Sequence, residues 1–148
     1  MLASVWEFGR IRFALVISSL LLGACGDDSG AGTGVDASAA DVRFTELYQN
    51  VLHKRCADAV CHGGGAGNLD FTTQAKAYAA LVDTQADGPD CKSSGLTRVV
   101  AGKPNESLMY EKLSPTPPCG RRMPLGNVLS TSETAMVREW IAGGAPND

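Results

Sequence analysis

Two cysteines and a histidine place the strongest constraint on the fold of this chain. They lie in the segment Cys56-Ala57-Asp58-Ala59-Val60-Cys61-His62. Two thiols followed directly by an imidazole can bind haem covalently, because each thiol adds to a vinyl group and the histidine reaches the iron. In a regular helix, thiols five positions apart point roughly 140° from each other, against roughly 60° for the common spacing of three. We therefore expect residues 57–60 to bulge or to leave the helix.

The residues after the motif are three glycines, Gly63-Gly64-Gly65. Glycine lets the backbone turn sharply or pass close to a flat ligand. Two other interpretations of the motif exist. Cys56 and Cys61 could form a disulfide, with His62 exposed, or both thiols and His62 could bind zinc together with another cysteine.

The beginning of the chain has the features of an export signal. Arg10 and Arg12 precede a run of 12 small or apolar residues, Phe13 to Ala24, that stops at Cys25. Such a run is too short to cross a bilayer, which takes about 20 residues. Because Leu22-Gly23-Ala24-Cys25 resembles the lipobox of bacterial lipoproteins, we expect residues 1–24 to be a lipoprotein signal peptide and Cys25 to be lipidated. An ordinary secretory signal is the alternative.

The mature chain divides into a tether and one domain. Residues 25–40 comprise the lipidated cysteine and a small, polar Gly/Ser/Ala-rich stretch, which predicts a flexible tether, and residues 41–148 form the folded domain. Removal of residues 1–24 leaves 11 Lys and Arg residues against 15 Asp and Glu, a net charge of about −4. This acidic balance argues against nucleic acid as a partner.

The hydrophobic pattern from residue 41 onward is helical. One helix of about three turns is predicted to lead into Cys56, others over 73–82 and 105–113, and a last one begins at a capping box formed by Ser130 and Glu133. The apolar positions of the first and last helices are Phe44, Leu47, Tyr48, Val51, Leu52, Met136, Val137, Trp140 and Ile141. No segment has the pattern of a strand, so we expect an all-α domain whose long loops wrap around a cofactor.

Two of the five cysteines have no role so far. If Cys25 carries lipid and Cys56 and Cys61 carry haem, Cys91 and Cys119 remain, and in an exported chain they are expected to form a disulfide. That disulfide would fix the segment that presents Met123.

Met123 is the candidate for the second axial ligand of the iron. It lies in Arg121-Arg122-Met123-Pro124-Leu125-Gly126, where the proline restricts its backbone. A thioether opposite an imidazole suits electron transfer. Alternatively Met123 packs on the core, as we expect of Met109 and Met136 on helix faces. His53, the other histidine, is expected at the surface.

Four cations lie near these candidates: Arg98, Lys103, Arg121 and Arg122. They could pair with haem propionates or with an acidic partner, or they could belong to a solvated face.

The predicted domain resembles a class I c-type cytochrome. The resemblance lies in a helix ending in a Cys…Cys-His site, a later Met-Pro loop and a closing helix with Trp140. The similarity is greater to variants with a widened cysteine spacing, such as planctomycete-type cytochrome c domains, and it covers about residues 42–145. The resemblance implies thioethers at Cys56 and Cys61, axial ligation by His62 and Met123, and a crosswise contact of the first and last helices near Phe44 and Trp140.

Together these features predict a monomeric lipoprotein with one haem c. We expect it to carry single electrons between redox proteins, anchored by lipid in the cell envelope, with its domain in the periplasm or at the cell surface. Position 26, after the lipidated cysteine, is Gly and not Asp, which by resemblance to the sorting of bacterial lipoproteins favours the outer membrane. No nucleophile or general base constellation indicates an enzyme. The alternatives are a haem peroxidase or small-ligand sensor with an open distal site, and a haem-free, disulfide-stapled binding module.

Overall fold

The computed structural model of the chain describes residues 41–148. The expected signal peptide, the lipidation site Cys25 and the tether lie outside these described residues. No helix among residues 41–148 has both the length and the apolar character needed to span a membrane.

Helices dominate the secondary structure of the described part. Helix α1 (44–55) runs through Phe44–Leu47, a π-helical turn at Tyr48–Leu52 and a last turn at His53–Arg55. Helices α2 (Gln74–Leu81), α3 (Leu108–Glu111) and α4 (Thr131–Ala142) follow, with 3₁₀ turns at Ala66–Asn68, Lys92–Ser94 and Pro104–Glu106. Within 41–148 the strand-like pairing is limited to two isolated bridges, Val82 with Val99 and Gln85 with Thr97. The expectation of a helical domain without a sheet is confirmed for this part of the chain.

The helix predicted over 105–113 is wrong in its extent. Ser107 is extended (φ −98°, ψ 114°) and separates the 3₁₀ turn from the short helix α3. Its buried hydroxyl donates to the carbonyls of Lys103 (2.8 Å) and Val100 (3.3 Å) and accepts from the Val100 amide (2.9 Å). A serine that bonds the backbone in this way competes with helix formation.

Helices α1 and α4 pack against each other through aromatic side chains. The rings of Phe44 and Trp140, both fully buried, lie 5.1 Å apart, and Tyr78 of α2 lies edge-on to Phe44 at 5.1 Å. Aromatic pairs at such distances add to the free energy gained by burying their area. The predicted contact between Phe44 and Trp140 is confirmed.

The predicted capping box at the start of α4 is also confirmed. The Ser130 hydroxyl accepts from the Glu133 amide (3.2 Å), and the Glu133 carboxylate accepts from the Ser130 amide (2.7 Å). These bonds satisfy two amides that the first helical turn leaves without partners. At the start of α1 the Asp148 carboxylate accepts from the Phe44 amide (2.5 Å).

A second, smaller cluster contains the disulfide. Cys91 and Cys119 are bonded, with their Cα atoms 5.4 Å apart, as predicted. Cys91 is buried with Ala86 and Leu108, and Leu96 packs against them. The disulfide thus ties the segment before Met123 to the loop between α2 and α3.

Candidate functional site

The backbone leaves the helix at Cys56, where the cysteine-histidine motif begins. Cys56 has φ −127° and ψ −24°, outside the helical region. The chain then folds back, so that the His62 amide donates to the Cys56 carbonyl (3.0 Å) and the Cys61 amide donates to the Asp58 carbonyl (2.9 Å). Residues 57–60 therefore form a loop, which confirms the expected departure from the helix.

Two of the three glycines after the motif pack directly against this loop. A Cβ at Gly63 would overlap the carbonyl oxygen of Ala57, and a Cβ at Gly64 would overlap that of Ala59. Gly65 has φ +83°, in the left-handed region that favours glycine. The glycines thus allow the chain after His62 to lie against the loop between the cysteines.

The His62 ring is held by a hydrogen bond to the backbone. Its Nδ1 lies 2.7 Å from the carbonyl oxygen of Ala66. Since a carbonyl only accepts, Nδ1 carries the hydrogen and Nε2 keeps its lone pair. Metal-binding histidines commonly donate their second N–H in this way, which fixes the tautomer and the ring orientation. Burial lowers the pKa of His62, which favours the neutral form that binds metal, although the Ala66 bond opposes that shift.

His62 lines an apolar cavity beneath α1. The cavity has a volume of about 210 Å³ and is partly open to solvent. This volume is below the roughly 300–1,000 Å³ common for ligand pockets. Its apolar lining comes from all four helices and from the loops, and includes Val51, Leu52, Leu69, Phe71, Leu81, Leu108, Leu113, Leu129 and Val137.

The two motif cysteines lie in different recesses. Both thiols are free in the structure, so the alternative of a Cys56–Cys61 disulfide is not seen. Cys56 lines the apolar cavity, and burial raises the pKa of its thiol to about 11. Cys61 lines an adjoining groove, and Pro124 borders both recesses. The structure therefore brings Cys56, His62 and Met123 together and places Cys61 beside them.

Met123 reaches the cavity from a loop that is tied down on one side. Its amide donates to the Lys112 carbonyl (2.8 Å). The Lys112 ammonium donates to the carbonyls of Cys119 (2.7 Å) and Arg121 (3.1 Å), and the Arg122 guanidinium donates to the Leu113 carbonyl (2.9 Å). These bonds and the disulfide fix the segment that carries Met123.

The other two methionines among residues 41–148 differ in position. Met136 packs on the main core, as expected. Met109 also packs on that core, as expected, and it lines the cavity as well. The cavity therefore has two thioether side chains in its wall.

Of the four cations considered from the sequence, Arg98 is the one that lines the cavity. Its side chain is buried, forms an ion pair with Asp87 and donates to the Ala80 carbonyl (2.8 Å). A solvated face is therefore the wrong interpretation for Arg98. Lys103 is exposed and paired with Glu106 (3.0 Å), and Arg121 is exposed.

Sequence reasoning missed Lys112, which also lines the cavity. Burial lowers the pKa of its ammonium, and the nearby Asp90 carboxylate partly opposes that change. Its position three residues after Met109, on the same predicted helical face, was the available signal.

The remaining predictions concern metal binding and His53. In residues 41–148, no three His, Cys, Asp or Glu side chains form a group that could hold a metal ion, and the disulfide occupies Cys91 and Cys119. His53 is exposed, as predicted, with its ring 5.6 Å from that of Tyr48.

Comparison of the chain with family models, with curated proteins and with solved structures gives no match.

Proposed function

We propose that the chain is a monohaem c-type cytochrome with a cytochrome c-like fold, and that it carries single electrons between redox proteins. The observation that carries this proposal is the His62 ring, whose Nδ1 is held by the Ala66 carbonyl at 2.7 Å while the ring lines an apolar cavity. A half-buried histidine kept neutral, with Nε2 free, fits haem iron.

The other cavity residues fit the same group. Cys56 offers a thiol beside His62, and Met123 and Met109 offer thioethers, which bind iron in cytochromes of this type. The mainly apolar wall suits a flat apolar ligand, and its cations are Arg98, which is already paired with Asp87, and Lys112, which lies near Asp90. Haem would supply a one-electron iron couple.

The residues of the chain have separate tasks in this proposal. Cys56 and Cys61 would hold the cofactor covalently, His62 and Met123 would bind the iron, and the apolar wall would limit the access of water. Of the two cysteines, Cys61 lines the adjoining groove. We further propose that the lipidated Cys25 holds the domain in the cell envelope, at the outer membrane.

Visible spectroscopy of the protein exported with cytochrome maturation factors tests this function. We expect a haem c spectrum with a pyridine haemochrome of one haem per chain, and a six-coordinate low-spin ferric state. His62→Ala should abolish the low-spin spectrum, whereas His53→Ala, the matched change at the exposed histidine, should leave it intact. A colourless protein would contradict the proposal and favour a haem-free binding module.

One observation favours a second candidate, a haem peroxidase or small-ligand sensor. The cavity is partly open to solvent, and Met123 lies outside any helix, which suits a cavity that a small molecule can enter. A high-spin ferric spectrum with rapid cyanide binding would support this candidate over electron transfer.

A further inference from the structure

Two loops face each other across the groove beside the cavity. One wall of the groove is the end of α1 and the motif loop, with Lys54, Arg55, Asp58 and Cys61. The other wall is the segment after Met123, residues 124–127. Under the proposed function, these walls carry the residues that hold the haem from opposite sides. The distance between them therefore decides whether Met123 stays in place.

The segment after Met123 makes few bonds of its own. Residues 124–129 contain no helix or strand, and both Leu125 and Val128 are exposed by about half. Within the described part of the chain, residues 124–129 form two hydrogen bonds to other protein groups. Arg55 donates both of them. The bonds with Lys112 and the disulfide hold Met123 itself and the residues before it, and they do not hold the residues after it.

Arg55 connects three structural elements. Its guanidinium donates to the carbonyls of Asn127 (3.2 Å) and Val128 (3.2 Å), and its Nε lies 3.5 Å from the Glu133 carboxylate. Glu133 is itself held by the capping box of α4. Arg55 directly precedes Cys56, so one side chain links the start of the motif loop, the segment after Met123 and the last helix.

We propose that Arg55 is a positioning residue that keeps Met123 on the iron by holding residues 127 and 128 against the end of α1. This inference rests on the proposed function. A planar guanidinium can donate to two carbonyls and a carboxylate at once, which a lysine ammonium on a flexible stem cannot do with the same geometry. Loss of the contacts should let the segment move away and take Met123 with it.

The population of molecules that have lost Met123 is measurable with cyanide on the ferric protein. An added ligand that needs a vacant site binds with an apparent affinity proportional to the fraction of molecules that have one. Arg55→Gln removes two charge-assisted hydrogen bonds. It should therefore raise the apparent cyanide affinity roughly tenfold or more. Arg55→Lys should give an intermediate value, and Glu133→Gln, which leaves the carbonyl contacts in place, a smaller rise than Arg55→Gln.

Arg43→Gln is the matched control. Arg43 is exposed and paired with Glu46 and Asp148, at the other end of α1, so the change should leave cyanide affinity unaltered. Far-UV circular dichroism on each variant separates local release of Met123 from unfolding. If Arg55→Gln does not fold, Arg55→Lys carries the comparison.

The outcomes separate this inference from the function on which it rests. A low-spin wild type whose cyanide affinity is the same in the Arg55 variants overturns the role of Arg55 and leaves the cytochrome function standing. A high-spin wild type that binds cyanide rapidly contradicts ligation of the iron by Met123. It thereby overturns the proposed electron transfer, whatever the Arg55 variants show. The proposal is supported if the wild type is low-spin, Arg55→Gln raises the apparent cyanide affinity and Arg43→Gln leaves that affinity unchanged.

Discussion

Gly63→Ala adds one methyl group at a point where the backbone leaves no room for it. The new Cβ would overlap the Ala57 carbonyl oxygen and lie 2.9 Å from that of Asp58. Both oxygens belong to the backbone of the motif loop, so neither can swing aside as a flexible side chain would. The φ of Gly63 is not in the left-handed region, so the expected cost comes from packing.

The free energy of unfolding should fall by about 1–3 kcal/mol, the usual cost of forcing a methyl group into closely packed surroundings. The bond from the Gly63 amide to the Asp58 carbonyl (2.9 Å) lies at the clash, and its loss would add about 1 kcal/mol. For a domain of this size each kcal/mol lowers the melting temperature by about 4–8 °C. We therefore expect a decrease of at least about 4 °C.

Thermal unfolding followed by far-UV circular dichroism measures this decrease. Gly126→Ala is the matched control, because its Cβ would meet nothing within 4 Å and its φ is also outside the left-handed region. Haem content should fall in the Gly63 variant alone, since the clash displaces the loop between Cys56 and Cys61. Equal melting temperatures for the two variants would refute the close packing of Gly63 against that loop.

Three further predictions concern the axial ligand, the cap of α4 and the membrane anchor. Met123→Leu should keep covalent haem and lose the low-spin spectrum, while Met109→Leu should keep both; the reverse pattern would make Met109 the ligand. Hydrogen bonds from Ser130 lower the pKa of Glu133. Its contribution to stability should therefore be complete above the ordinary value of about 4.3 and be lost as the pH falls through the lower folded value. Glu133→Gln should remove that pH dependence in denaturation curves, and an unchanged profile would show that the cap is not its source. Cys25→Ala should release the protein from membranes, whereas retention would indicate another anchor.

Local features of the sequence predicted the two main helices well. The apolar spacing of α1 and the capping box of α4 act within a few residues, so the pattern alone contains them. The π-helical turn at Tyr48–Leu52 was not foreseen, and the break at Ser107 arises from bonds to Val100 and Lys103 across a turn. Departures of this kind depend on neighbours that a periodic pattern does not specify.

The candidate site was predictable where its chemistry lies in adjacent residues. The motif of Cys56, Cys61 and His62 and the disulfide pairing followed from residue types and from elimination. The contacts of Arg55 and the position of Lys112 in the cavity wall did not, because Arg55 bonds residues that follow it by 72 and 73 positions in the chain. The cavity wall at Met109 likewise depends on how α3 packs against the core. Such contacts are properties of the tertiary fold.

Mass spectrometry of a tryptic digest of the exported protein tests the central claim most directly. Cleavage after Arg55 and Lys76 releases one peptide that contains Cys56, Cys61 and His62. Covalent haem attachment predicts that this peptide carries the mass of one haem and has no free thiol. A peptide of unmodified mass, with two alkylatable thiols or a Cys56–Cys61 disulfide, would contradict the account.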